Sequence, residues 1–202
     1  MHPLLAELVA DFSLSGDLPQ DVFNFLNHHE YPNTAVHSRS VAETALKLAQ
    51  RFDIDRQQTE AAAWLHDISA VYPNPQRVRV SQQLGIEILP EERQVPLLLH
   101  QKISAVMAKE IFGIGDRLIL DAIRCHTTLK ANPTDLDLVL FVADKLAWDQ
   151  RGEPPFKGEM ETALDTSLKT AAWAYLEYLL HSGKIQIPHP WMLEAYEELK
   201  PR

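Results

Sequence analysis

The spacing of apolar side chains constrains this chain more than any other feature. From Leu4 to Tyr196 they recur at steps of three and four almost everywhere, and alternating runs bounded by turn residues are scarce. A period near 3.6 lays one apolar stripe along a helix, whereas a strand needs a period of two, so the fold class is all-α. Leu4, Leu5, Leu8, Val9 and Phe12 form a first segment ending near Gly16, and Asp17 with Pro19 opens a short helix carrying Val22, Phe23 and Leu26. A longer helix after Asn33 or Thr34 puts His37, Val41, Ala45, Leu48 and Phe52 on one face, which turns His37 inward.

Asp55 with Gln58 three residues later resembles a capping box, so a helix is expected from there through Trp64 and Leu65 to His66 and Asp67, broken by Pro73 and Pro75. A polar helix ends near Gly85, and a Pro90 start leads to His100 at the junction with a helix carrying Ile103, Val106, Met107 and Ile111. Asp116 caps a helix in which Ile119, Ala122, Ile123 and His126 share a face, and Thr134 caps one carrying Leu136, Leu140, Ala143 and Asp144. The stretch from Arg151 to Gly158, with Pro154 and Pro155, reads as an ordered loop. One long helix then runs from Met160 through Leu164, Leu168, Ala171 and Tyr175 to Leu179, and the tail packs back through Trp191 and Tyr196.

With 202 residues, 46% of them hydrophobic, the chain can bury one substantial core and is short for two. The formal net charge of -9 offers no overall positive field, and lysine and arginine are nowhere concentrated, which argues against nucleic acid as a partner. Phosphate substrates stay open, because bound cations reverse the local potential. Cys125 is the single cysteine, so neither an internal disulfide nor a thiolate-rich zinc site is available, and a reducing cytoplasm fits. No apolar run reaches membrane-spanning length and no signal peptide is evident, so the expectation is a soluble cytoplasmic protein with no membrane partner.

Four histidines and two aspartates fall on apolar faces or helix ends: His37, His66, Asp67, His100, His126 and Asp144. Buried without partners they would cost several kcal/mol each, roughly, so something must satisfy them. Imidazole nitrogen with carboxylate oxygen suits zinc, iron, manganese or nickel, and an aspartate can bridge two ions. Neighbours on a helix project about 100° apart, so His66 and Asp67 reach one site only beside a helix end or a distortion.

In order along the chain, a lone His, a His-Asp pair, two single His and a final Asp resemble the signature of the HD superfamily of metal-dependent phosphohydrolases. The likeness spans roughly residues 34 to 151 and is strongest to its YqeK-like branch: His37-Ser38 opening a helix, Trp64-Leu65-His66-Asp67, Ile123 to Thr128, and Val142-Ala143-Asp144-Lys145. Ala70 departs from it, standing where many members place a lysine, and so does the run from Leu146 to Arg151. The resemblance implies an all-helical fold, a di-iron centre and symmetrical hydrolysis of diadenosine tetraphosphate to two ADP by a metal-activated water. It implies that His37, His66, Asp67 and Asp144 hold one ion, with His100, His126 and a bridging Asp67 holding the other. Asp67 and Lys145 are the expected catalytic residues, and Thr127, Thr128, Lys145 and Arg151 the expected phosphate donors. Residues 1–33 then form an amino-terminal cover, 34–151 the metal-binding core and 152–202 the carboxy-terminal helices of one HD domain. Homodimerisation is left open.

Taken singly, each of His37, His100 and His126 is more often a core or boundary histidine satisfied by a carbonyl. His28 and His29 read as solvated or packed against the cover, Cys125 as a buried thiol, and His181 and His189 as histidines near a helix C-terminus. Of Trp148, Trp173 and Trp191, which at helical spacing usually pack cores, Trp148 lies next to the site segment and is a candidate for stacking on a base. Competing readings are a mononucleotide nucleotidase, a di-iron oxygenase and a nucleotide-binding module without turnover.

Overall fold

The computed structural model describes residues 1–148 and 152–201, and among them every regular element is helical. The α-helices are α1 (Pro3–Leu8), α2 (Leu18–His28), α3 (Pro32–Phe52), α4 (Arg56–Leu65), α5 (Arg77–Gln83), α6 (Pro90–Gln94), α7 (Leu99–Glu110), α8 (Arg117–Cys125), α9 (Asp135–Leu146), α10 (Lys157–Leu164), α11 (Leu168–His181) and α12 (Pro190–Leu199). Short 3-10 turns cover Ile68–Val71, Asn74–Gln76 and Pro96–Leu98. No helix of the described residues is long and apolar enough to cross a membrane.

The caps explain where the helices begin. Asp17 accepts from the Gln20 amide, Asp55 from Gln58, Asp116 from Leu118 and Thr134 from Asp137. Each satisfies an amide that the first turn leaves without a partner. At Thr134 the box is reciprocal, since the Asp137 carboxylate accepts from the Thr134 amide at 2.8 Å. At Asp55 it is not: the Gln58 side chain donates to Asp116 at 2.8 Å, tying the start of α4 to the start of α8.

The core is built around α9, where every residue from Leu136 to Ala143 is buried. α3 packs on α4, and both carry buried alanines, Ala35, Ala42, Ala45 and Ala49 on α3 and Ala61 to Ala63 on α4, side chains small enough to let backbones approach closely. α8 packs on α4, α7 and α9, so the helices that carry the six candidate ligands share one centre.

The carboxy-terminal half corrects the single long helix expected from Met160 to Leu179. Ser167 sits in an extended conformation and its hydroxyl caps α11 by accepting from the Thr170 amide, so the chain turns there and α10 and α11 pack as a hairpin. The apolar period continues in phase across the break, which hid it. α1 likewise ends at Leu8, short of Phe12.

Candidate metal centre

Four of the six candidate residues sit at helix ends. His66 caps the C-terminus of α4, His126 caps the C-terminus of α8, Asp144 lies in the last turn of α9 and His100 in the first turn of α7. His37 comes from the second turn of α3. Three helix C-termini thus end at one place, and their unpaired carbonyls favour positive charge there. The helical path also breaks where the sequence requires it: α4 stops at Leu65, and Asp67 (φ −114°, ψ 16°) precedes a 3-10 turn. That departure lets His66 and Asp67 face the same centre.

Distances describe two clusters that share Asp67. One contains His37, His66 and Asp67, the other Asp67, His100 and His126. Asp67 Oδ2 lies 3.5 Å from His66 Nε2, while Oδ1 lies 3.4 Å from His100 Nε2 and 3.5 Å from His126 Nε2. Asp144 Oδ1 joins the first cluster, 3.1 Å from His37 Nε2 and 3.6 Å from His66 Nε2.

The protonation pattern follows from the backbone. His66 Nδ1 lies 2.7 Å from the Ala63 carbonyl, His100 Nδ1 2.6 Å from Leu97, and His126 Nδ1 2.8 Å from Ile123. A carbonyl can only accept, so in each ring Nδ1 carries a proton, and in a neutral ring Nε2 is then a lone pair facing inward. His100 Nε2 and His126 Nε2 are 3.0 Å apart, both beside Asp67 Oδ1. Burial pushes His100 down to about 4 and lowers His126, so both rings are neutral at pH 7. Converging lone pairs with no proton between them repel, and a cation removes the repulsion; the donor set therefore fits a metal ion.

The first cluster favours positive charge for another reason. Burial alone would lower His66, but Asp67 and Asp144 push it up to about 9. Its Nε2 is buried and makes no hydrogen bond. Burial would raise both carboxyls, yet His66 and its neighbours hold Asp67 well below the usual range, and Lys145 does the same for Asp144. A proton or a metal at this position answers the same field.

Of the expected phosphate donors, Lys145 pairs with Asp144 and donates to the His126 carbonyl at 3.2 Å, its ammonium over the rings of Phe141 and Tyr175. Thr127 Oγ1 is 3.0 Å from His100 Nε2. Thr128 is fully buried and its hydroxyl donates to the Leu129 carbonyl at 2.9 Å, facing away from the centre. Arg151 lies outside the described residues. Trp148 lines a cleft of about 270 Å³ together with Asn33, Thr34, Phe156 and Tyr175, and His37, Asp67, Asp144 and Lys145 form its polar side.

Sequence reasoning missed two residues here. Gln101 is buried, and its carbonyl oxygen accepts from the Thr127 and Thr128 amides at 3.1 and 3.3 Å, bracing the turn after His126 against α7. Arg77 opens the helix that the sequence marks as polar, yet it is buried and donates to the Leu97 carbonyl that His100 also uses. The reading of His189 is also corrected: it caps the N-terminus of α12, and its ring is buried against Glu92 at 3.3 Å. His181 does lie at a helix C-terminus, and His29 packs on Phe25 with Nε2 donating to the Leu8 carbonyl.

An all-helical fold presenting paired His/Asp clusters is the class of architecture seen in HD domains, and the HD domain family model matches residues 34–149. The chain belongs to that family. A Lactococcus lactis subsp. cremoris protein described as an uncharacterized protein in the pepC 5'region is 48% identical over 147 residues, covering 73% of this chain and 75% of that one. A Bacillus subtilis protein named symmetrical bis(5'-nucleosyl)-tetraphosphatase is 32% identical over 121 residues, covering 59% of this chain and 61% of its own length. A Clostridium acetobutylicum crystal structure, titled as a predicted HD superfamily hydrolase involved in NAD metabolism, superposes with a TM-score of 0.78 at 24% identity, over 89% of this chain and 95% of that one. That likeness speaks to the fold.

Proposed function

We propose that this protein is a metal-dependent phosphohydrolase that cleaves a dinucleoside polyphosphate symmetrically, converting diadenosine tetraphosphate to two ADP. The observation that carries the reading is the pair of clusters sharing Asp67, with every Nδ1 proton of His66, His100 and His126 committed to a carbonyl. The name of the Bacillus subtilis relative supports the substrate class. Two divalent or mixed-valence ions fit the donors; iron is favoured, and manganese, zinc or nickel suit the same atoms. Ions held there supply Lewis acidity, which acidifies water and offsets phosphoryl charge.

In the reaction a water oxygen bonds to one of the two central phosphorus atoms. The bond from that same phosphorus to the central bridging oxygen breaks, and the departing ADP takes the bridging oxygen with the electron pair while the water proton is released. Water adds across one anhydride, and no oxidant or reductant is needed. Asp67 and Asp144 stay ionised, because the cations around them hold their pKa values down. His66, His100 and His126 commit their Nδ1 protons to carbonyls and turn Nε2 toward the centre, and His37 turns Nε2 toward Asp144. Lys145 lines the cleft beside Asp144 and is placed to donate to the phosphate chain, with Thr127 on the His100 side. Thr128 acts through Gln101 on the shape of the turn, and Arg151 remains a candidate donor. Trp148, Phe156 and Tyr175 give the cleft an aromatic wall suited to a nucleobase.

A panel of nucleotides incubated with protein loaded with manganese or ferrous iron, with products separated by chromatography, tests the reading. Two ADP from diadenosine tetraphosphate is the expected result. Orthophosphate released from mononucleotides, with the dinucleotide left intact, would replace it with a nucleotidase; binding without any product would defeat the hydrolase reading.

A further inference from the structure

Arg77 opens α5 and spends its guanidinium on two backbone carbonyls, Nε donating to Tyr72 at 3.1 Å and Nη1 to Leu97 at 3.1 Å. The Leu97 carbonyl is the same one that accepts from His100 Nδ1 at 2.6 Å. One oxygen atom therefore links the guanidinium to an imidazole of the second cluster. The residue is only 8% exposed, and among the described residues it forms no ion pair. Its third nitrogen, Nη2, makes no hydrogen bond there.

Burying a guanidinium without a counter-anion is unfavourable unless an anion completes it. The nearby carboxylate cannot serve, since Asp67 already has its two oxygens facing three imidazoles. The shared Leu97 carbonyl nevertheless sets Arg77 beside His100, whose Nε2 lies 3.4 Å from Asp67 Oδ1, on the flank of the shared carboxylate. Solvent reaches that flank at Leu97, which is 53% exposed, and at the partly exposed His100 side chain. Two carbonyls fix the plane of the fork and leave donors unspent, the arrangement that suits a phosphate group.

The geometry points to Arg77 as a phosphate-binding residue on the His100 side of the centre, opposite Lys145 on the Asp144 side. Two cations flanking the paired clusters match a chain of several phosphates better than a single one. This assignment rests on the phosphohydrolase reading for its ligand class and adds a residue that neither the sequence motifs nor the relatives' names single out.

The test is calorimetric titration of inorganic phosphate into metal-loaded parent, Arg77→Gln and Arg77→Lys proteins, with metal content measured on each sample. Arg77→Gln should weaken phosphate binding about 10- to 100-fold, the usual size of a charge-assisted contact, with metal content unchanged. Arg77→Lys, which keeps the charge and the better chance of folding, should weaken it less and raise KM for the dinucleotide more than it lowers kcat. Unchanged phosphate affinity with metal retained in either variant overturns the assignment. So does weakened affinity that merely tracks lost metal, which would make Arg77 a positioning residue for His100. If the parent leaves diadenosine tetraphosphate intact while phosphate binding still depends on Arg77, the substrate reading fails and this one stands.

Discussion

Glu92 and Lys102 offer the sharpest test of how the scaffold is held. The Lys102 ammonium lies 2.8 Å from Glu92 and 3.1 Å from the Glu87 carbonyl, and Glu92 also accepts from the Leu89 amide at 2.8 Å and faces His189 at 3.3 Å. The two side chains are 0% and 2% exposed, so solvent screens neither charge. Glu92→Gln keeps the shape and some acceptor capacity but strands the ammonium of Lys102. Breaking a buried pair from one side costs about 3–5 kcal/mol, and the retained amide oxygen puts this case near the lower end. For a chain of this length that lowers Tm by about 6–12 °C, read by calorimetry at pH 7. Adding Lys102→Met should recover part of the loss by removing the stranded charge. The pH dependence has a definite sign. Burial would raise Glu92, but His189, Lys102 and the Leu89 amide hold it below its ordinary value. Its contribution is therefore complete above the unfolded carboxyl pKa of about 4.3 and is lost as pH falls through the lower folded value. The gap between parent and Glu92→Gln should close in that acidic window. A Tm change under about 2 °C at pH 7, or a gap that widens on acidification, would refute the argument.

Chelation should destabilise the protein: a metal at one hundred times its Kd contributes about 2.7 kcal/mol, so Tm falls by about 5–11 °C when it is stripped, and equal melting temperatures would count against the centre. Asp67→Ala removes the carboxylate common to both clusters, and we expect loss of bound metal by elemental analysis together with loss of dinucleotide hydrolysis; a variant as active as its parent rules the arrangement out. Lys145→Ala releases Asp144 from its ammonium partner and should reduce kcat/KM about 10- to 100-fold. Unchanged kcat and KM would remove Lys145 from the machinery.

Much of this architecture is written in local chemistry, and what is not depends on where distant backbone happens to pass. Asp17, Asp55, Asp116 and Thr134 could be read as caps because the cap and its amide lie within three residues. His37 and Asp144 stood out as polar groups on apolar stripes. Ser167 is a possible cap three residues before Thr170, but the apolar period runs on across the turn and masks it. His189 had the same kind of signal as a cap ahead of Pro190. Arg77 and Gln101 had none, since their partners are the Tyr72 and Leu97 carbonyls and the Thr127 and Thr128 amides. An arginine on a short polar helix looks solvated until the chain that surrounds it is known.

The placement of the ligands at helix ends explains why so few residues suffice. A histidine in mid-helix has its i−3 and i−4 carbonyls occupied by the helix's own amides. At the last turn the ladder of amides runs out, so His66 and His126 reach back to the Ala63 and Ile123 carbonyls and hold their Nδ1 protons there without any second side chain. His100 achieves the same from the first turn of α7, where its Nδ1 reaches the Leu97 carbonyl of the preceding 3-10 turn. Asp67 can face two clusters only because α4 has ended two residues earlier. A substitution that prolonged α4 through Asp67 would rotate its carboxylate away from the other three helices, although no ligand had been changed.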